Sequence, residues 1–355
     1  MEKIKEGEVE IEVPEGRIYD KDVFYNPKMK FDRNLSVAVA SVTKPEKACD
    51  ALSASGVRGI RYKKEGEVPE VWLNDANEQA ANLIQKNLKI NNLNCETRKM
   101  DAAVLLREEK FDFIDLDPFG SPAEFLDAAA SSIRKDGFLS ITATDTSSFF
   151  GTYPRVSRRR YGRKSMNTDY NKELGLRILV SSIIESLGRY KKTFYPKICY
   201  SREHYARIFG EVIKGATEVQ ENFRNFGHIS HCFSCGWRKD MLAEKCPNCG
   251  KRTEYVKVYM DKLNNENFCE KTMKEGRKRR FYGEGKFVEK LKNDQEIPYH
   301  YDIHYIAKKQ GFNLKKMERI IEMLEGQGFK TTRSIYSPTA VKTEAEFKDV
   351  VRVFE

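Results

Sequence analysis

No uninterrupted apolar run in this 355-residue chain approaches the roughly 18 residues of a membrane span, and no basic amphipathic helix dominates it. Its start, Met1-Glu2-Lys3-Ile4-Lys5-Glu6-Gly7-Glu8, is charged where a secretory signal carries an apolar core. These absences lead us to expect a soluble, cytoplasmic protein in a reducing compartment. Its eight cysteines then read as thiols or metal ligands rather than disulfides. A G-x-G-x-x-G fingerprint is also absent, which disfavours a pyrophosphate-binding NAD site, and there are no internal repeats or long low-complexity tracts.

What is present is charge. Lys and Arg number 63 against 53 Asp and Glu, a formal net charge of +10, which favours a polyanionic partner, nucleic acid first. The charged fraction of 33% leans towards a heat-adapted protein. The length implies two or three domains.

Between residues 47 and 144 strand and helix patterns alternate. The stretch 47–52 reads as a short buried strand, and 53–60 is a small-residue loop opening a helix, with Gly56 placed for close backbone approach. Residues 71–75 form a second strand, ending in an acid, Asp75, 19 residues after Gly56, about the offset at which a carboxylate meets ribose hydroxyls. Ala80, Leu83, Ile84 and Leu88 share one helical face. A third strand around 95–98 leads to Asp101-Ala102, Phe111–Leu116 is the fourth, 121–135 reads as helix, and 138–144 is the fifth strand. The rhythm predicts an α/β fold, a Rossmann-like doubly wound sheet whose ligand lies across the carboxyl ends of the strands, where Gly56, Asp75, Asp101 and Asp117 converge. Without the glycine fingerprint, S-adenosylmethionine is the expected cofactor. Taken singly, Asp75 also reads as a helix cap and Asp101 as a turn residue.

At the end of the fourth strand stands Asp117-Pro118-Phe119-Gly120. Asp-Pro and Phe-Gly are ordinary loop punctuation. At the rim of such a sheet, however, a carboxylate followed by proline and an aromatic can grip the exocyclic NH2 of a nucleobase while the ring stacks on the base.

Cys232-x2-Cys235 and Cys246-x2-Cys249, with ten residues between the pairs, form two knuckles for a closed tetrahedral Zn2+ site, structural rather than catalytic. His228 and His231 read as bystanders. Two runs are basic. Arg155-Val156-Ser157-Arg158-Arg159-Arg160-Tyr161-Gly162-Arg163-Lys164 follows the fifth strand, with Tyr153 and Tyr161 interleaved as on a loop tracking an RNA backbone; 271–280 is the second run. Both also fit a solvated charged face. Beyond the cysteines, helices around 304–307 and 314–324 and a hairpin over 329–340 outline a winged-helix-like module.

Much of the chain resembles the tRNA N2,N2-dimethylguanosine methyltransferase family, archaeal type. The resemblance rests on Val23-Phe24-Tyr25-Asn26-Pro27, Arg33-Asn34-Leu35-Ser36, the run from Asp50 to Arg61, Asn74-Asp75-Ala76-Asn77, Asp101-Ala102 and the run from Asp115 to Gly120. It implies methylation of guanosine 26 of tRNA, and it implies that Arg33, Arg58, Asp75, Asp101 and Ala102 contact S-adenosylmethionine. Asp75 would meet the ribose, Asp101 with Ala102 the adenine, and the two arginines the carboxylate end. Asp117 and the Pro118 carbonyl would accept the hydrogens of guanine N2, with Phe119 on one face of the base and Phe24 on the other. The expected organisation is a methyltransferase domain over 1–218, a zinc-ribbon segment over 219–262 and a tRNA-docking, winged-helix-like domain over 263–355, in a monomer without an obligate protein partner. A DNA amino-methyltransferase and a non-catalytic nucleic-acid-binding regulator are the rival expectations.

Overall fold

A computed structural model describes residues 1–15 and 23–355. The chain opens with an antiparallel hairpin of β1 (Glu2–Glu6) and β2 (Val9–Val13). Gly7 turns it at φ +60°, where a Cβ would stand 2.3 Å from the Glu65 carboxylate, so both the turn and the close approach require glycine. After α1 (Lys30–Thr43), strand and helix alternate: β3 (Lys47–Asp50), α2 (Val57–Lys64), β4 (Glu70–Asn74), α3 (Glu78–Ile90), β5 (Glu96–Arg98), α4 (Ala102–Glu108), β6 (Phe111–Leu116), α5 (Leu126–Ser132) and β7 (Ile133–Ala143). Two short helices, α6 (Thr146–Phe149) and α7 (Pro154–Tyr161), lead into the long α8 (Asn171–Gly188), followed by β8 (Lys192–Arg202) and β9 (Tyr205–Lys214).

These strands build one seven-stranded sheet in the order β5-β4-β3-β6-β7-β9-β8, parallel as far as β7 and antiparallel beyond it. β6 lies near the middle and is buried on both faces, which is why Phe-Asp-Phe-Ile-Asp-Leu reads as an almost continuous apolar run. The helix expected over 121–135 is shorter than its pattern. Lys192 Nζ takes the carbonyls of Ala130 and Ile133, so the helix stops at Ser132 and the next residues already belong to β7.

The chain continues through α9 (Ala216–Phe223) into a small sheet of β10 (Phe226–His231), β11 (Arg238–Lys239) and β12 (Glu254–Tyr259), ordered β11-β10-β12, which carries the four clustered cysteines. α10 (Glu266–Lys278) and α11 (Tyr282–Lys292) return to α1, with Phe268 stacked on Phe138 and Phe287 against Phe31. The final segment is β13 (Tyr301–Asp302), α12 (Ile303–Gln310), α13 (Met317–Gly326), β14 (Thr331–Arg333), β15 (Ala340–Thr343) and α14 (Phe347–Arg352). Its sheet runs β13-β15-β14, so two helices followed by a hairpin stand where the winged outline puts them.

Buried ion pairs join these parts. Arg238 of β11 reaches Asp169 before α8 at 2.6 Å and the His300 carbonyl at 2.8 Å. Lys342 of β15 bridges Glu173 of α8 at 3.0 Å and Asp294 at 2.6 Å. Among the described residues, no helix is long and apolar enough to cross a membrane.

Candidate active site

The carboxyl ends of β3, β4 and β6 open onto a cavity of about 710 Å3. In its first wall the Asp75 carboxylate accepts the Ala54 N–H at 2.8 Å and the Asn77 N–H at 2.9 Å, tying the small-residue loop to the end of β4. Gly56 starts α2 at φ +79°; a Cβ there would press on Ile84 at 3.1 Å. Asp75, Arg33, Arg58, Asp117, Pro118, Phe119 and Phe24 line the cavity. Gly56, Asp101 and Ala102 are not among the lining residues; Asp101 is exposed and caps α4 by accepting the Ala103 and Val104 N–H groups at 2.8 and 3.1 Å.

Asp50, on the floor, accepts the Gly59 N–H at 2.9 Å. Burial, reinforced by the neighbouring Asp115 charge, pushes its carboxyl up to about 7. Beneath the floor lies a ladder of charge, buried except at Asp117. Arg58 donates to Asp117, to Asp32 at 2.8 Å and to Ser36 at 2.8 Å. Arg207 grips Asp115 at 2.6 and 3.0 Å, and Tyr200 donates to Asp32 at 2.6 Å. Burial alone would raise Asp115, but Arg207 and Arg58 outweigh it and hold the carboxyl below its usual range. One oxygen of Asp117 is therefore engaged from below by a guanidinium that is itself fixed on three sides.

The rest of the tetrad is pinned by backbone. Gly120 sits at φ +89°, donates to Thr144 Oγ1 at 2.7 Å and accepts the Thr144 N–H at 2.9 Å. Phe119 is 74% exposed, and its ring meets Phe24 edge-on with centroids 4.4 Å apart. Arg33 forks onto Glu6 of the opening hairpin at 2.5 and 2.6 Å. Burial pushes Glu6 up, but the Arg33 fork and Arg61 hold it at about 2.

The structure divides the first basic run. Arg155, Arg158 and Arg159 of α7 are exposed and, among the described residues, free of ion pairs. Arg160 is held by Asp145 at 2.8 Å, Arg163 by Glu185 at 2.5 Å and Lys164 by Glu254 at 3.0 Å. Tyr161, expected beside RNA, is instead buried; its hydroxyl lies 2.7 Å from both Ser121 Oγ and the Asp145 carboxylate, and those two partners decide its orientation. Tyr153 is exposed. In the second run, Arg279 and Lys278 pair with Glu275, while Lys271, Lys274, Arg277 and Arg280 remain exposed.

Sequence reasoning missed Glu6, Asp32 and Arg207. Asp32 carried one local signal, a carboxylate inside an otherwise buried helical face. Glu6 and Arg207 carried none, because Glu6 stands 27 residues from Arg33 and Arg207 stands 92 from Asp115. The Sγ atoms of Cys232, Cys235, Cys246 and Cys249 all lie within 4.8 Å of one another, a cluster with the donor set and size of a tetrahedral thiolate site.

Residues 6–355 match the family profile described as N2,N2-dimethylguanosine tRNA methyltransferase. The chain belongs to this family of enzymes. It is 34% identical over 373 residues to the tRNA (guanine(26)-N(2))-dimethyltransferase of Methanothermobacter thermautotrophicus, with 99% of this chain and 98% of the relative covered. Identity to the protein of the same name from Thermococcus kodakarensis is also 34%, over 378 residues, covering 99% and 98%. Trm1 from Pyrococcus horikoshii, solved as a complex with S-adenosyl-L-methionine, superposes over 100% of both chains with a TM-score of 0.91 at 31% identity. Family membership accords with the α/β methyltransferase sheet expected from the strand rhythm.

Proposed function

We propose that this chain uses S-adenosylmethionine to methylate N2 of guanosine 26 in tRNA, once and then again. The observation that carries the reading is Asp117, held from below by Arg58 at the sheet rim beside the exposed Phe119 ring.

The cavity suits the methyl donor chemically. Asp75, Asp117, Glu124 and Glu203 line it together with Arg33 and Arg58, so it offers carboxylates to a sulfonium cation and guanidinium groups to a carboxylate. Asp75 would take the ribose hydroxyls, Asp101 with Ala102 the adenine, Gly56 the close backbone approach, and Arg33 with Arg58 the carboxylate end. When bound there, S-adenosylmethionine supplies an electrophilic methyl group.

Everything else falls to the chain's own groups. The lone pair of guanine N2 is delocalised into the ring, and acceptors for its hydrogens localise it. With one Asp117 oxygen on Arg58, the other accepts one amine hydrogen and the Pro118 carbonyl accepts the second, which also offsets the positive charge that builds on nitrogen. The nitrogen gains a methyl and releases a proton to Asp117 or water. The secondary amine keeps one hydrogen, so a single acceptor suffices for the second transfer. Phe119 and Phe24 separate from their edge contact to roughly 7 Å, two van der Waals spacings, to take the base between them. Each base-aromatic contact contributes about 1–3 kcal/mol, and with phosphate contacts from Arg155, Arg158 and Arg159 this offsets the few kcal/mol needed to swing the base out. Arg160, Arg163 and Lys164 are engaged by Asp145, Glu185 and Glu254 and would meet phosphate only by giving up those pairs. The four cysteines hold a structural Zn2+ ion, and metal analysis is expected to find one per chain.

Asp117→Ala is expected to abolish methyl transfer and leave tRNA affinity within about twofold, because the side chain would meet the tRNA only at the amine. Substantial residual turnover would remove Asp117 from the chemistry.

A further inference from the structure

Four aromatic rings stand exposed among the described residues: Phe119, Tyr153, Tyr255 and Tyr282. The first three follow one path across the surface. The Ser121–Tyr161 hydrogen bond ties the Phe119 loop to the end of α7, and Tyr153 immediately precedes that helix. Past α7, Arg163 donates to the Lys257 carbonyl at 2.6 Å and lies over the Phe226 ring, while Lys164 pairs with Glu254, so the exit of α7 is fastened to β12. On β12 the side chains alternate: Val256 and Val258 face the core, and Tyr255 and Lys257 face outward. His228 pairs across from Lys257 and its ring lies 6.0 Å from Tyr255. At the tip of the same ribbon, Lys245 and Arg252 oppose each other across a bridge, with Lys251 beside them. Lys245, Lys251, Arg252 and Lys257 are all exposed and, among the described residues, have no carboxylate partner.

We propose that this outer face of the four-cysteine ribbon, Tyr255 and Lys257 with Lys245, Lys251 and Arg252, is a second RNA surface that grips the tRNA backbone away from the modified base. The proposal rests on the tRNA reading above. A single ring among unpaired cations matches stacking on an unpaired nucleotide with phosphate contacts on either side. A protein partner would need an apolar centre, and the two exposed aliphatic side chains nearby, Met241 and Leu242, fall short of one. The fastening through Arg163 and Lys164 gives this face a fixed position relative to Asp117, so a tRNA that spans both is held in one register.

The test is the salt dependence of binding of an unmodified tRNA transcript to the full chain. A variant carrying Lys245→Gln, Lys251→Gln, Arg252→Gln and Lys257→Gln is expected to lower the magnitude of the log Kd against log salt slope by about three to four, one counterion per lost contact. Tyr255→Ala is expected to weaken binding about tenfold with the slope unchanged. Turnover at saturating tRNA should stay at the unaltered level in both, since none of these residues lines the cavity. Unchanged slope and affinity in both variants, at an unaltered melting temperature, would overturn the proposal. Should the fourfold variant fail to fold, Lys257→Gln alone decides it, with a slope change of about one expected and no change contradicting it. Arg155→Gln, Arg158→Gln and Arg159→Gln are titrated alongside. A slope that responds only to them refutes the ribbon surface and leaves the tRNA reading standing, whereas an unaltered chain that binds no tRNA refutes both.

Discussion

Glu6 shows how much one side chain can hold in place. It accepts from Arg33, from Arg61 at 2.9 Å and from the Tyr25 hydroxyl at 2.9 Å, joining the opening hairpin to α1 and α2 beside the cavity. Its carboxyl is held at about 2 against an ordinary 4.5. Because the folded value lies below the unfolded one, this contribution is fully present above pH 4.5 and is lost as the pH falls towards 2. Glu6→Gln is therefore expected to lower the unfolding free energy at pH 7 by about 3 kcal/mol, and the difference from the unaltered chain should shrink to about half or less at pH 3. Denaturant melts at the two pH values measure it, and an equal loss at both would show that the carboxylate charge is irrelevant. The rim position of Asp117 and the clustering of the four cysteines were legible in the sequence because the residues that define them are neighbours along the chain. Glu6, Asp32 and Arg207 were not, because their meaning comes from partners that only the sheet brings together.

At the scale of elements, α7 links the basic surface to the loop from Asp117 to Ser121. Its outer face carries the free arginines, and its last residue, Tyr161, bridges Ser121 and Asp145, while the Asp145 N–H reaches the Gly120 carbonyl at 3.3 Å. Tyr161→Phe keeps the buried ring and removes the bridge. It is expected to lower kcat about tenfold, the scale of a small misplacement of the reacting groups, with tRNA and S-adenosylmethionine affinities unchanged; an unaltered kcat would reduce Tyr161 to packing. The run around Tyr161 read as exposed because its cations dominate the pattern, yet burial there is decided by a carboxylate 16 residues upstream. The strands were legible for the opposite reason. Four of the six residues of β6 are apolar because both its faces are covered, and its limits agree with the pattern to the residue. α5 was overestimated because its end is set by Lys192, far along the chain.

Across the whole molecule, buried charge fixes the C-terminal parts against the methyltransferase sheet. Lys342 reaches both Glu173 and Asp294, and Arg177 also pairs with Glu173 at 3.0 Å. Burial, reinforced by Glu173 and only partly offset by Lys342, already pushes the Asp294 carboxyl up to about 6. Lys342→Met would leave Asp294 without its ion-pair partner and Glu173 with Arg177 alone, at 3.0 Å, and is expected to cost about 3–5 kcal/mol in urea unfolding; a loss under about 1 kcal/mol would mean the interface does not depend on this pair. Such a mounting suits an enzyme that must hold a large RNA in register with one small cavity. Whether the cavity methylates N2 of guanosine 26 is decided by nucleoside mass spectrometry with site mapping, on an unmodified tRNA transcript incubated with the protein and S-adenosylmethionine. The expected products are N2-methylguanosine followed by N2,N2-dimethylguanosine at position 26 and nowhere else; methylation at another nucleotide, or none at all, would refute the assignment.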